Sequence, residues 1–153
     1  MGICDGNTGS ALKVEYSLDA ALDWNDPGHT WTEVTDVAGR LVPSGGDRPM
    51  EQYRTFGATL VGVGHPGAMN IALDVVFQND ESSFLETLTD KYEGEECFYL
   101  RWAYNAGASG ALRRTAKVQV LSNPYTGGEA NNAAPVVSSL NLATDQIHRD
   151  TVP

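Results

Sequence analysis

The chain has little of what catalytic or metal-binding sequences carry. Its 153 residues include only two cysteines, Cys4 and Cys97. That is too few for a disulfide framework and points to a reducing compartment. No apolar run approaches the roughly 20 residues that span a bilayer, so no membrane partner is expected. The opening MGICDGNTGS has neither the basic region nor the apolar stretch of a secretory signal. Met1-Gly2 begins like a myristoylation site, but Gly6 stands where Ser or Thr is required. His29, His65 and His148 are isolated, with no metal-ligand spacing to one another or to a cysteine, and each reads as a surface residue. There is no GxSxG elbow and no P-loop lysine, and spacing pairs no serine or carboxylate into an acid–base couple. An enzyme has no positive support, and no cofactor or metal is expected.

Positive charge is also scarce. Twenty Asp and Glu stand against ten Lys and Arg, a net charge of -10. Such a surface repels phosphate and argues against nucleic-acid affinity through counterion release. Two readings remain: solubility, or a surface that lies near nucleic acid and must not adhere to it. With 41% hydrophobic and 20% charged residues, the chain is neither a disordered polyampholyte nor a membrane protein by composition. It is long enough for one domain with a real core.

Two segments imitate chemical motifs. Gly62-Val-Gly64-His-Pro-Gly67 matches GxGxxG, but that turn cradles phosphate only between a strand and a helix N-terminus. Here a period-two strand follows, so a flexible loop is the better account. Asp23, Asn25, Gly28 and Glu33 resemble part of an EF-hand loop. Pro27 occupies a ligand position and Glu33 is one residue short of the bidentate one, so the segment reads as a solvated turn.

Periodicity supplies the organisation. Val14, Tyr16 and Leu18 share one face of a strand. Asp26-Pro27-Gly28 is a turn signal, and Thr30 to Val37 reads as strand, with helical spacing of Trp31, Val34 and Val37 as the alternative. Residues 38–68 lose periodicity among Pro43, Gly45, Gly46, Pro49, Gly62, Gly64, Pro66 and Gly67, with a short extended piece between Gln52 and Val63. About 30 residues is long for a connection, and such loops are functional or ordered by a partner. Ile71, Leu73, Val75 and Phe77 alternate cleanly. A helix follows at Ser82–Tyr92, with Asn79 or Asp80 as cap, Ser83 and Glu86 at capping-box spacing, a stripe of Phe84, Leu85, Leu88 and Tyr92, and Gly94 as stop. Phe98, Leu100, Trp102 and Tyr104 form the next strand face, with Cys97 as a small packed residue. Then come a turn at 105–110, a strand through Ala116, Val118 and Val120, a polar loop from Asn123 to Pro135, and a strand through Val136, Ser138, Leu140 and Leu142. The fold class is mainly β (α+β), with antiparallel strands around one helix. The expected division is a single domain over 1–153, with a frayed segment 1–11, a long loop 38–68 and a tail 144–153.

Arg113, Arg114 and Lys117 form the one basic cluster. It is either a solvated strand start or a pairing surface for acidic neighbours such as residues 80–96, which hold seven acids and one lysine. Phe98, Tyr99, Trp102 and Tyr104 are either a ligand platform or strand core.

The order of these pieces resembles the major tail proteins, or tail-tube proteins, of long-tailed bacteriophages. The pieces are the helix Ser82–Tyr92, Leu100-Arg101-Trp102 in an aromatic strand, the Asn105–Gly110 turn, the strand Lys117–Leu121, the P-x-x-G-G-E-A loop Pro124–Ala130, the strand Val136–Leu142, and an upstream Tyr-x-x-Phe-Gly segment within Glu51–Gly67. The resemblance covers about residues 50 to 143. The segment Pro43–Pro49 is richer in Gly and Pro than that family's, and the IHRDTVP end has no counterpart in it.

The resemblance implies an antiparallel β-sandwich or half-barrel with one packed helix. Subunits would join sheets into rings, commonly hexameric, that stack into a tube through which viral DNA passes without tight binding. Expected partners are further copies of the chain, a terminator and a tape-measure protein; the expected place is the virion tail, assembled in the host cytoplasm. On that reading Arg113, Arg114 and Lys117, with Asp80, Glu81, Glu95 and Glu96, are candidate intersubunit contacts. Pro43, Asp47, Arg48, Tyr53, Arg54 and Phe56 are candidate ring-stacking residues, and Glu15, Glu33 and Asp74 candidate lumen acids. The alternative is a β-sandwich binding module, a viral decoration protein or a carbohydrate-binding domain with Trp24, Trp31 or Trp102 as platform.

Overall fold

The computed structural model describes residues 12–19, 29–128, 130 and 133–153. The segment 1–11, the turn at Asp26-Pro27-Gly28, Trp24 and most of the calcium-like loop lie outside the described residues. Alternating sequence becomes strands β1 (Lys13–Ser17), β2 (Thr32–Glu33), β3 (Ala38–Gly45), β4 (Met50–Arg54), β5 (Thr59–Val63) and β6 (Met69–Val76). After the helix α1 (Phe84–Glu93) come β7 (Cys97–Ala103), β8 (Leu112–Val120) and β9 (Val137–Thr151). Among the described residues, seven strands form one sheet in the order β2-β1-β7-β8-β9-β6-β3, while β4 and β5 pair only with each other. All pairings are antiparallel, and the large sheet curls into a half-barrel. The mainly β half-barrel with one helix is the expected class.

Register explains the core. Residues opposite each other in an antiparallel pair point to the same face, so Ile71 with Leu142, Leu73 with Leu140, and Leu100 with Ala116 stack into one apolar layer. Phe98, Trp102, Val118 and Val120 complete it. The helix covers this face with Phe84, Leu85 and Leu88, and Phe84 stacks on Tyr16 at 4.8 Å between ring centroids. Each fully buried Leu or Ile contributes about 1.5–3 kcal/mol of transfer free energy. Ser83 is the N-cap, accepting the Glu86 backbone N–H on its hydroxyl. Asp80 instead closes the preceding turn, accepting from the N–H and hydroxyl of Ser82.

Several expectations are corrected. Residues 38–68 are not one long loop. Ala38–Gly45 is a full strand of the main sheet, and most of the rest is a hairpin. Pro43 misleads because β3 is an edge strand, where a missing N–H on the open side breaks no ladder bond. The tail 144–153 is also strand: β9 runs to Thr151, its second half held by β8 through the register from Ala116–Ile147 to Leu112–Thr151. The strand expected over Thr30–Val37 shrinks to Thr32–Glu33, because Val37 and Ala38 both donate to the Val34 carbonyl and close a turn. Cys97 is exposed rather than packed, since it opens β7 on the face opposite Phe98. His29 is not a free surface residue; its Nδ1 lies 3.1 Å from Asp19 Oδ2 with only 10% of the side chain exposed.

Candidate assembly surfaces

The β4–β5 hairpin is a projecting arm. Its ladder runs from Met50–Val63 to Arg54–Thr59, a reach of about 15–20 Å including the turn. Every residue of both strands is exposed. Thr55 and Ala58 lock the turn by backbone and hydroxyl bonds, which leaves Phe56 fully in solvent at the tip. Met50, Tyr53, Leu60, Val61 and Val63 are more than half exposed along the shaft. An apolar surface of this kind, without in-chain cover, marks an interaction site.

The base of the arm is a bend. The ladder of β3 and β6 continues irregularly through Gly46 N–H to Ala68 O, Gly67 N–H to Asp47 O, and Gly64 N–H to Pro49 O, at 2.8–3.1 Å. Gly45 and Gly46 both sit in the left-handed region, at φ of 76° and 75°. A Cβ at Gly45 would lie 2.8 Å from the Ala68 carbonyl oxygen. Glycine is therefore required where the chain turns out of the sheet.

The sheet face opposite the helix carries two of the ion pairs. Arg101 donates from Nε and Nη2 to Glu15 Oε1 at 3.2 and 2.9 Å, with its guanidinium 3.9 Å from the Trp31 ring centroid. Burial is the main force lowering the Arg101 pKa, and Glu15 opposes it. Arg113 forks onto both carboxylate oxygens of Asp150. That contact raises the guanidinium pKa and holds the Asp150 carboxyl below its usual range. Together the pairs tie β1 to β7 and β8 to β9.

Sequence candidates separate accordingly. Among the lumen candidates, Glu15 and Asp74 lie on this face with Glu33 opposite Glu15. Glu15, however, is buried and paired with Arg101 rather than open. Among the basic candidates, Arg113 is engaged within the chain. Arg114 donates to the Arg113 carbonyl and lies near the Tyr104 ring, and Lys117, near Tyr99, is the exposed member. Among the acids, Glu96 holds Lys91 at 2.7 Å, a bond that lowers its pKa. Asp80 is lowered by the Ser82 N–H. Glu81 is exposed, and Glu95 takes a left-handed φ of 54° after the helix. Pro43 lies on β3, Asp47 and Arg48 at the arm base, and Tyr53, Arg54 and Phe56 on the arm itself. The structure does not bring the basic trio onto the 80–96 acids within one chain.

Sequence reading missed the arm as a hairpin. Its signal was the apolar alternation of Leu60 and the paired Met50–Val63, obscured by Gly62. Trp102 is buried in the core and Trp31 lies over Arg101, so neither is an open ligand platform. Among the described residues no cluster of His, Cys, Asp or Glu could hold a metal, and no helix is long and apolar enough to cross a membrane.

No protein-family model matches the chain, and no curated protein matches it. Solved structures do. The chain is similar to a chain of the sheath–tube complex of PVC, an extracellular contractile injection system, in its extended state. That match has a TM-score of 0.63 and 14% identity, covering 98% of this chain and 95% of that one. It is similar to the SPP1 tail tube at a TM-score of 0.66 and 9% identity, covering 95% and 80%. A third likeness is to the tail of an empty GTA particle with C6 symmetry, at a TM-score of 0.61 and 12% identity, covering 97% and 100%. At these identities the likeness establishes the fold, one shared with subunits of tail and injection-system tubes.

Proposed function

We propose that this chain is a structural tail-tube subunit that self-assembles into stacked rings, a conduit for genome delivery. The observation that carries the reading is the arm: a hairpin whose apolar side chains stay more than half exposed in their own chain. The half-barrel supports it with two edge strands, β2 and β3, because pairing sheets around a ring removes exposed edges. The sixfold symmetry of the GTA tail favours hexameric rings. Terminator and tape-measure proteins are the expected tail partners, with assembly in the host cytoplasm and residence in the virion tail. The net charge of -10 lets DNA pass without tight binding, because a wall of that sign gives phosphates few cations to pair with. Arg114, Lys117 and the 80–96 acids remain candidate contacts between neighbouring subunits. Size-exclusion chromatography followed by negative-stain electron microscopy of the purified protein tests the reading. Rings or tubes are expected; a monomer at all concentrations would contradict it.

A further inference from the structure

The arm leaves the sheet where Gly45 pairs with Met69, at one end of the β3–β6 ladder. The other end of β6 closes against the start of β9, Val76 opposite Val137. Eight strand residues separate these ends by about 25 Å. At the far end lies a cleft of about 600 Å³, walled by the loop 123–128 on one side and Pro135, Val136 and Val137 on the other. Of its lining residues, Tyr125 and Val137 are the exposed large apolar ones.

The cleft is pre-organised. The Tyr125 hydroxyl donates to Glu93 Oε1 at 2.6 Å, and its backbone N–H donates to Asn123 Oδ1 at 2.8 Å. Its ring meets Tyr92 edge-on. The Phe77 N–H donates to the Val136 carbonyl at 2.8 Å. The charges also match. Arg54 is the cation nearest the arm tip in the chain, whereas Glu93 stands at the cleft, bonded to Tyr125. Lys91, the cation of that helix, is already held by Glu96.

We infer that this cleft receives the hairpin tip of a second copy of the chain, with Phe56 entering beside Tyr125 and Val137 and Arg54 meeting Glu93. The inference rests on the tube reading and names the receptor it lacks. Arm and cleft sit at opposite ends of β6, so the contact is head-to-tail and propagates as a stack rather than closing as a dimer. It places an exposed aromatic anchor in a pre-formed pocket, the arrangement that dominates interface energetics.

The test uses the full chain with Cys4 and Cys97 replaced by serine. One preparation carries Phe56→Cys and the other Thr126→Cys. After mixing and mild oxidation, a covalent dimer on a non-reducing gel is expected only in the mixture, at about tenfold or more over either preparation alone, because a disulfide forms only when Cα atoms come within about 7 Å. Val137→Arg, at an exposed position, is expected to lower the yield of tubes by about tenfold or more while circular dichroism stays unchanged. Tubes from the wild type with no mixed disulfide, and with Val137→Arg assembling normally, would overturn the cleft as receptor and leave the tube reading intact. Mixed disulfides in linear chains without rings would support the cleft and contradict the ring reading.

Discussion

Strand β6 and the β4–β5 hairpin are close in sequence and both rich in apolar residues, yet they end in opposite environments. Ile71, Leu73 and Val75 of β6 are wholly buried between β3, β9 and the helix. Met50, Leu60, Val61 and Val63 of the hairpin remain more than half exposed. A lone two-stranded ribbon is marginal in water. The hairpin persists because it continues the β3–β6 ladder and has a turn locked by Thr55 and Ala58. The lesson is that burial within the chain divides residues that serve folding from residues that the fold leaves open.

Core substitutions should open the widest gap between the two regions. Leu73→Ala is expected to cost about 2–5 kcal/mol of stability in urea unfolding, whereas Leu60→Ala on the arm should change it by less than about 0.5 kcal/mol. Equal costs at both positions would mean that the arm packs on its own subunit in solution. Next comes the buried ion pair. Arg101→Ala should cost about 3 kcal/mol by stranding Glu15, and adding Glu15→Ala to it should recover part of the loss; purely additive losses would show that the pair is not coupled. The helix cap follows: Ser83→Ala should cost about 1 kcal/mol, measured by thermal unfolding, with assembly of the intact arm unaffected.

The smallest effect is a pH dependence. Arg113 depresses the folded pKa of Asp150 below its ordinary value, which is about 3.9. A depressed carboxyl contributes stability that is present above that ordinary value and lost as pH falls through the folded one. Melting temperatures of the wild type should therefore fall toward those of Asp150→Asn as pH drops below about 4. Curves that stay parallel across that range would remove the clamp from the account.

Much of the sheet was legible because alternation is a local signal. Ile71, Leu73 and Val75, then Phe98, Leu100 and Trp102, then Ala116, Val118 and Val120 all face the core as their period-two pattern requires. The helix was legible from Ser83 and Glu86, displaced by one or two residues at its ends. Strand β3 was not, because Pro43, Gly45 and Gly46 read as breakers until the strand is known to be an edge. The second half of β9 was hidden for a different reason. Asp145 to Thr151 alternates weakly, and its place depends on pairing with β8 residues about 35 positions away. The candidate surfaces were legible only as composition. Sequence grouped Arg113 with the 80–96 acids by charge, whereas Asp150, brought opposite by the sheet, takes that role within the chain.

The most direct measurement is electron microscopy of the wild type beside a variant with residues 50–63 replaced by a short Asn-Gly turn. Gly64 N–H already donates to the Pro49 carbonyl at 2.8 Å, so the ends to be joined are adjacent and the half-barrel should fold. The expected result is tubes from the wild type and only isolated rings or monomers, with unchanged circular dichroism, from the variant. Tubes of ordinary length without the arm would contradict the claim that the hairpin exists to join one copy of the chain to the next.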